Sequence, residues 1–133
     1  MTSFPMTFPL TTLAVLVALL IYFGLGAVVG AARGKFGVPA PQSSGHPEFD
    51  KRNRVHMNTL EQLVLFVPAA MFAAPVLGDP ATAVIALLWS VGRLLYARSY
   101  YADPAKRSLG FLLTILPTFI LIVAAGYGAV RAL

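Results

Sequence analysis

A chain of 133 residues with 58% hydrophobic and 11% charged side chains cannot cover a water-facing surface, because soluble domains run near about 45–50% apolar and about 25% charged. The net charge of +5 comes from basic residues clustered in loops and at helix ends, with no soluble module to present them, which argues against nucleic acid as a partner. Cysteine is absent, so disulfides, thiolate metal sites and a cysteine nucleophile are excluded, and any thiol chemistry must use a substrate's thiol.

The apolar residues fall into four long blocks, and about 20 mostly apolar residues suffice for a helix to cross a hydrocarbon core about 30 Å thick. The expected architecture is an all-α integral membrane four-helix bundle in a single domain over residues 1–133. Span one is expected over about 10–32. The opening Met1-Thr2-Ser3-Phe4-Pro5 lacks a positive n-region and the apolar run exceeds that of a signal peptide, so the segment reads as a retained helix. Gly26 and Gly30 form a small-xxx-small step that permits close helix approach, although glycines are also simply common in membrane helices.

Residues 33–49, rich in Pro, Ser and Gly, read as the longest loop. Span two follows over about 51–76, polar in its first three turns, with Pro68 and Pro75 expected to bend or end it. Leu77-Gly78-Asp79-Pro80 is a tight turn, making spans two and three antiparallel neighbours. Span three is expected over about 81–101, stopped by Asp103-Pro104, and span four over about 105–130 with a kink at Pro117. Arg33, Lys35, Lys51, Arg52 and Arg54 on one connection, and Arg98, Lys106 and Arg107 on the other, place both on the cytoplasmic side with the termini outside. Small size and the lack of organelle signals fit a bacterial inner membrane.

Several polar residues lie too deep for plain spans. Lys51, Arg54, Asn58 and Glu61, spaced 3, 4 and 3 apart, share one face of helix two. Glu61 sits roughly 10 Å along the axis from Arg54, where an unpaired charge costs on the order of 2.5–3.5 kcal/mol. Arg93, Tyr96 and Tyr100 form a second stripe on helix three. Glu61 and Arg93 can pair with each other to hold the bundle, or serve a ligand, and the tyrosines can be interfacial belt aromatics. One ion pair does not call for Lys51, Arg54, Arg107, Asn58 and Arg33 at the same depth, so a small polyanion bearing carboxylates is the simpler account. His56 has no acidic or cysteine companion spaced to complete a metal site, and the other histidine, His46, is in the loop.

The pattern Phe49-x-Lys51-x-x-Arg54-Val55-His56-x-Asn58-x-x-Glu61, preceded by Gly45-x-Pro47-Glu48, resembles the signature of the membrane-associated proteins in eicosanoid and glutathione metabolism, MAPEG. Arg93-x-x-Tyr96-x-x-x-Tyr100, with Arg107 seven residues on, is similar to the same family's third helix and the entry to its fourth. The resemblance implies a homotrimer that binds glutathione at the cytoplasmic side between subunits. It implies that Arg33, Arg54, His56, Asn58, Glu61, Arg93, Tyr96 and Tyr100 hold glutathione and that Arg107 activates its thiol, with no metal. The second substrate would be an apolar electrophile or lipid hydroperoxide. Gln62 stands where the leukotriene-conjugating branch has a tyrosine, Gly34 where it has a second arginine, and Thr59 where the microsomal transferase and prostaglandin E synthase branch has an aspartate. Those departures point to a general glutathione transferase or peroxidase. The alternatives are a non-catalytic family member that binds lipid or protein, which would lack Arg107, and a small multidrug transporter, which would need an acidic residue in span one; none precedes Glu48.

Overall fold

The computed structural model describes residues 6–133, so the opening five residues, on which the reading of the N-terminus as signal-free rests, lie outside the described residues. Four helices, each long and apolar enough to cross a membrane, account for most of the chain: α1 (Pro9–Phe36), α2 (Pro47–Leu77), α3 (Asp79–Ala102) and α4 (Ser108–Arg131), with one 3-10 turn at Pro104–Lys106. No strand occurs among the described residues. The protein is thus an all-α, multi-pass membrane four-helix bundle.

The first connection is shorter than the composition suggests, because both flanking helices run into it. α1 continues four residues past the expected end at 32 and stops where Gly37 takes a left-handed conformation, φ 67°, open to glycine without steric penalty. The Val38 N–H then closes on the Arg33 carbonyl at 3.0 Å. α2 begins at Pro47, four residues before the expected 51. Proline suits a first helical position, where its missing N–H costs nothing. His46 Nδ1 accepts from the Glu48 N–H at 3.1 Å, and Glu48 and Asp50 place negative charge at the positive end of the helix. Neither Pro68 nor Pro117 ends its helix, and α2 runs past Pro75 to Leu77.

α1 packs on α2 and α3, and α4 packs on the same two, so α1 and α4 occupy opposite corners. The start of α3 is tied to the start of α1: Asp79 accepts the Leu10 N–H at 2.9 Å and the Thr11 N–H at 2.8 Å. A carboxylate from one helix therefore caps another, and the two run parallel. The mid-bundle core is apolar, with Phe66 stacked on Trp89 at 4.4 Å between ring centroids and packed among Ala18, Ala70, Ala73, Ala86 and Leu121.

Two glycines set the approach of α3 to α4. A Cβ on Gly92 would meet the Leu113 backbone at 2.8 Å, and one on Gly110 would run into the backbone of Tyr96. Such contacts bring helix axes close where apolar surface alone supplies no driving force in lipid. The expected Gly26–Gly30 step serves differently: Gly26 leaves room for the His56 ring, whereas Gly30 faces open space.

Candidate functional site

The polar first turns of α2, the last turns of α3 and the start of α4 meet at one end of the bundle around an open cleft of about 870 Å³. Its walls carry Arg54, Asn58, Glu61 and Gln62 from α2 and Tyr96 and Tyr100 from α3, with Arg107, Ser108, Phe111 and Leu112 at the mouth of α4. The i, i+4, i+7 spacing of Arg54, Asn58 and Glu61 puts all three on the side of α2 that faces α3 and α4. Six of the nine residues expected at the site therefore line one cleft.

Within it, Arg54 Nη1 lies 3.4 Å from Glu61 Oε1, and Asn58 Nδ2 donates to Glu61 Oε2 at 3.5 Å. Both distances are long, and both charged side chains are 53% exposed, so the pair has spare hydrogen-bonding capacity facing the cleft. Of the two readings open for Glu61 and Arg93, a mutual ion pair is not the one formed, since Glu61 finds its cation on its own helix, at Arg54. Lys51 also leaves the stripe and pairs with Glu48 at 3.0 Å, as does Arg52 from the next position, also at 3.0 Å. The Arg107 guanidinium donates to the Pro104 carbonyl at 2.9 Å and lines the mouth of the cleft.

Arg93 is the seventh expected residue, and it lies beneath the cleft rather than on its wall. It is fully buried. Nη1 donates to Asn58 Oδ1 at 2.8 Å and Thr59 Oγ1 at 3.4 Å, and Nε donates to Thr114 Oγ1 at 3.0 Å. The guanidinium also sits 4.2 Å from the centroid of the Tyr96 ring, a cation–π contact worth more when desolvated. One side chain of α3 thus joins α2 to α4 under the floor of the cleft.

Arg33 and His56 are not brought into this cleft within one chain. Arg33 belongs to α1, the corner diagonal to α4; it donates to the carbonyls of Val38 and Gln42 and lies 4.9 Å above the Phe49 ring, fastening the first connection. His56 is two positions from Arg54 and from Asn58, about 200° around the helix. It stacks on Tyr22 of α1 at 4.4 Å. Sequence reasoning did not place Gln62, Ser108, Phe111 or Leu112 at the site; Gln62 is buried against the cleft with its Oε1 unpartnered among the described residues, and its position one step after Glu61 was the available signal.

Arginines facing one carboxylate, two phenols and two amides, with Phe111 and Leu112 on the remaining wall, can hold a small zwitterion with more than one carboxylate while leaving an apolar approach along α4. The sequence pattern of the MAPEG family matches residues 11–127. The chain is 40% identical over 108 residues to the uncharacterized protein sll1147 of Synechocystis sp., covering 81% of this chain and 79% of that one. It is 33% identical to human microsomal glutathione S-transferase 2 over 94 residues, 71% of this chain and 63% of that protein. To bovine leukotriene C4 synthase it is 29% identical over 112 residues, 84% of this chain and 73% of the synthase.

Proposed function

Since the chain belongs to the MAPEG family, we propose that it is a glutathione transferase that binds glutathione in the cleft between α2, α3 and α4 and activates the thiol through Arg107. The observation that carries the reading is the convergence of Arg54, Asn58, Glu61, Tyr96, Tyr100 and Arg107 on one cleft. Relatives named as glutathione S-transferase and leukotriene C4 synthase support the substrate class. Glutathione offers two carboxylates to Arg54 and to the cleft hydroxyls, and an ammonium to Glu61.

A free thiol titrates near about 8.5 and is only a few per cent thiolate at neutral pH. A guanidinium beside the sulfur stabilises the anion, and a fall of roughly 1.5 units would bring the thiolate to about half. Arginine suits this role because it stays protonated. The thiolate attacks an electrophilic carbon arriving along the Phe111–Leu112 wall; the S–C bond forms and the leaving group departs with its electron pair. With a lipid hydroperoxide the thiolate attacks the peroxide oxygen, releasing the alcohol, and a second glutathione resolves the sulfenic acid to the disulfide and water.

The walls of the cleft are charged and half-exposed, on a bundle whose helices present many exposed apolar side chains, and charges open to lipid are costly. A neighbouring copy in a homotrimer would cover it. In that assembly Arg33 and His56, on another face of the subunit, would serve a neighbour's cleft. The basic end carrying the cleft faces the cytoplasm under the positive-inside rule, and a bacterial inner membrane remains the setting we favour.

The test is turnover of purified protein in detergent with glutathione and an aryl halide. Wild-type protein should form the thioether, and Arg107→Ala should lower kcat about a hundredfold, the scale of losing one electrostatic stabiliser, with the Kd for glutathione changed by less than about threefold. Wild-type protein that forms no conjugate with any of a panel of apolar electrophiles or hydroperoxides would reject the proposal and favour a non-catalytic binding role.

A further inference from the structure

We infer that Arg93 is a positioning residue rather than a glutathione contact: it fixes the Asn58 amide so that its N–H groups, never its oxygen, face the ligand. The inference rests on the glutathione reading above and assigns Arg93 a task different from the one that resemblance implies.

The amide of an asparagine can usually turn end for end at little cost, because both ends find partners. Asn58 cannot. A guanidinium has donors only, so at 2.8 Å from Arg93 Nη1 the atom must be Oδ1. Its Nδ2 then points to Glu61 Oε2 at 3.5 Å, an acceptor that would repel an amide oxygen. Two neighbours of opposite hydrogen-bonding character leave a single orientation. One N–H serves Glu61 and the other is presented to the cleft that Asn58 lines, ready for a carboxylate or carbonyl oxygen of the tripeptide.

Arg93 is itself held. Its Nε is taken by Thr114 Oγ1, and Thr114 donates onward to the Gly110 carbonyl at 2.9 Å. Thr59, the third acceptor, donates to the Val55 carbonyl at 2.7 Å. With the Tyr96 ring over its face, the guanidinium has no path to the cleft: the side chain is at 0% exposure and its unpartnered Nη2 is also sealed from solvent. A ligand in the cleft would meet Asn58 and Tyr96, both supported from below by the same cation.

Two arms test this. First, wild-type protein is labelled with phenylglyoxal, an arginine-directed dicarbonyl, with and without glutathione, and the sites are mapped by mass spectrometry. Arg54 and Arg107 should react and be shielded by glutathione, while Arg93 stays unlabelled in both samples. Labelling of Arg93, shielded or not, overturns the inference; failure of glutathione to shield Arg54 and Arg107 instead rejects glutathione as the occupant. Second, glutathione affinity is measured for Arg93→Met in two backgrounds. The loss should be about tenfold with Asn58 present and under about twofold in Asn58→Ala, the coupling expected of residues that act through one another. Equal losses in both backgrounds would mean a merely structural role and overturn it. Because the first arm uses unaltered protein, a misfolded Arg93→Met leaves the inference open to refutation.

Discussion

Gly110 shows how one missing side chain sets the geometry of the cleft. Its backbone lies against that of Tyr96, so the α4 segment carrying Arg107 is held beside the α3 turn carrying Tyr96 and Tyr100. Gly110→Ala forces these helices apart, because the clashing atoms are backbone and cannot rotate away; overpacking of this kind costs typically about 1–3 kcal/mol. The variant should melt several degrees below wild type in detergent and bind glutathione more weakly. Gly126→Ala, where an added Cβ meets nothing within 4 Å, should leave both unchanged and serves as the control. An unchanged melting temperature in Gly110→Ala would show that the backbones of α3 and α4 are not in close contact at this point.

Among the helices, the least expected feature is the cap on α1. Its first N–H groups would be left without partners in an apolar setting, and Phe8 at the N-cap offers no side-chain acceptor. Asp79, the first residue of α3, accepts from Leu10 and Thr11 and so ties two parallel helices together at the end opposite the cleft. Asp79→Ala should destabilise the start of α1 by about 1 kcal/mol, the usual value of an N-cap. Amide exchange at Leu10 and Thr11 would read this as several-fold faster exchange, and unchanged protection would refute it. Sequence periodicity revealed the Arg54–Asn58–Glu61 and Arg93–Tyr96–Tyr100 stripes because a helix repeats every 3.6 residues whatever surrounds it. It did not reveal the Asp79 cap, which joins residues 68 and 69 positions apart. The helix ends around the first connection were obscured by prolines: Pro47 reads equally as loop or as a first helical residue, and only the backbone decides.

At the scale of the whole molecule, the four blocks and their order were legible because so apolar a chain has few ways to satisfy its backbone in lipid. Which faces meet was not. In a chain this hydrophobic nearly every face is suitable for burial, so Gly92 and Gly110 were indistinguishable from Gly24 or Gly30. Nor could composition tell that Arg93 would lie under the cleft while Arg54 lined it, since both share the same stripe logic. The diagonal placement of α1 and α4 explains why Arg33 and His56 stand apart from the other expected ligands within one chain, and it is what makes a neighbouring copy part of the proposed function. On the proposed function, this cleft turns glutathione into its thiolate. Ultraviolet difference absorbance of purified protein titrated with glutathione at neutral pH measures it directly. A saturable thiolate band that disappears in Arg107→Ala, with the tripeptide still bound, is the predicted result; bound glutathione with no such band in the wild-type protein would contradict it.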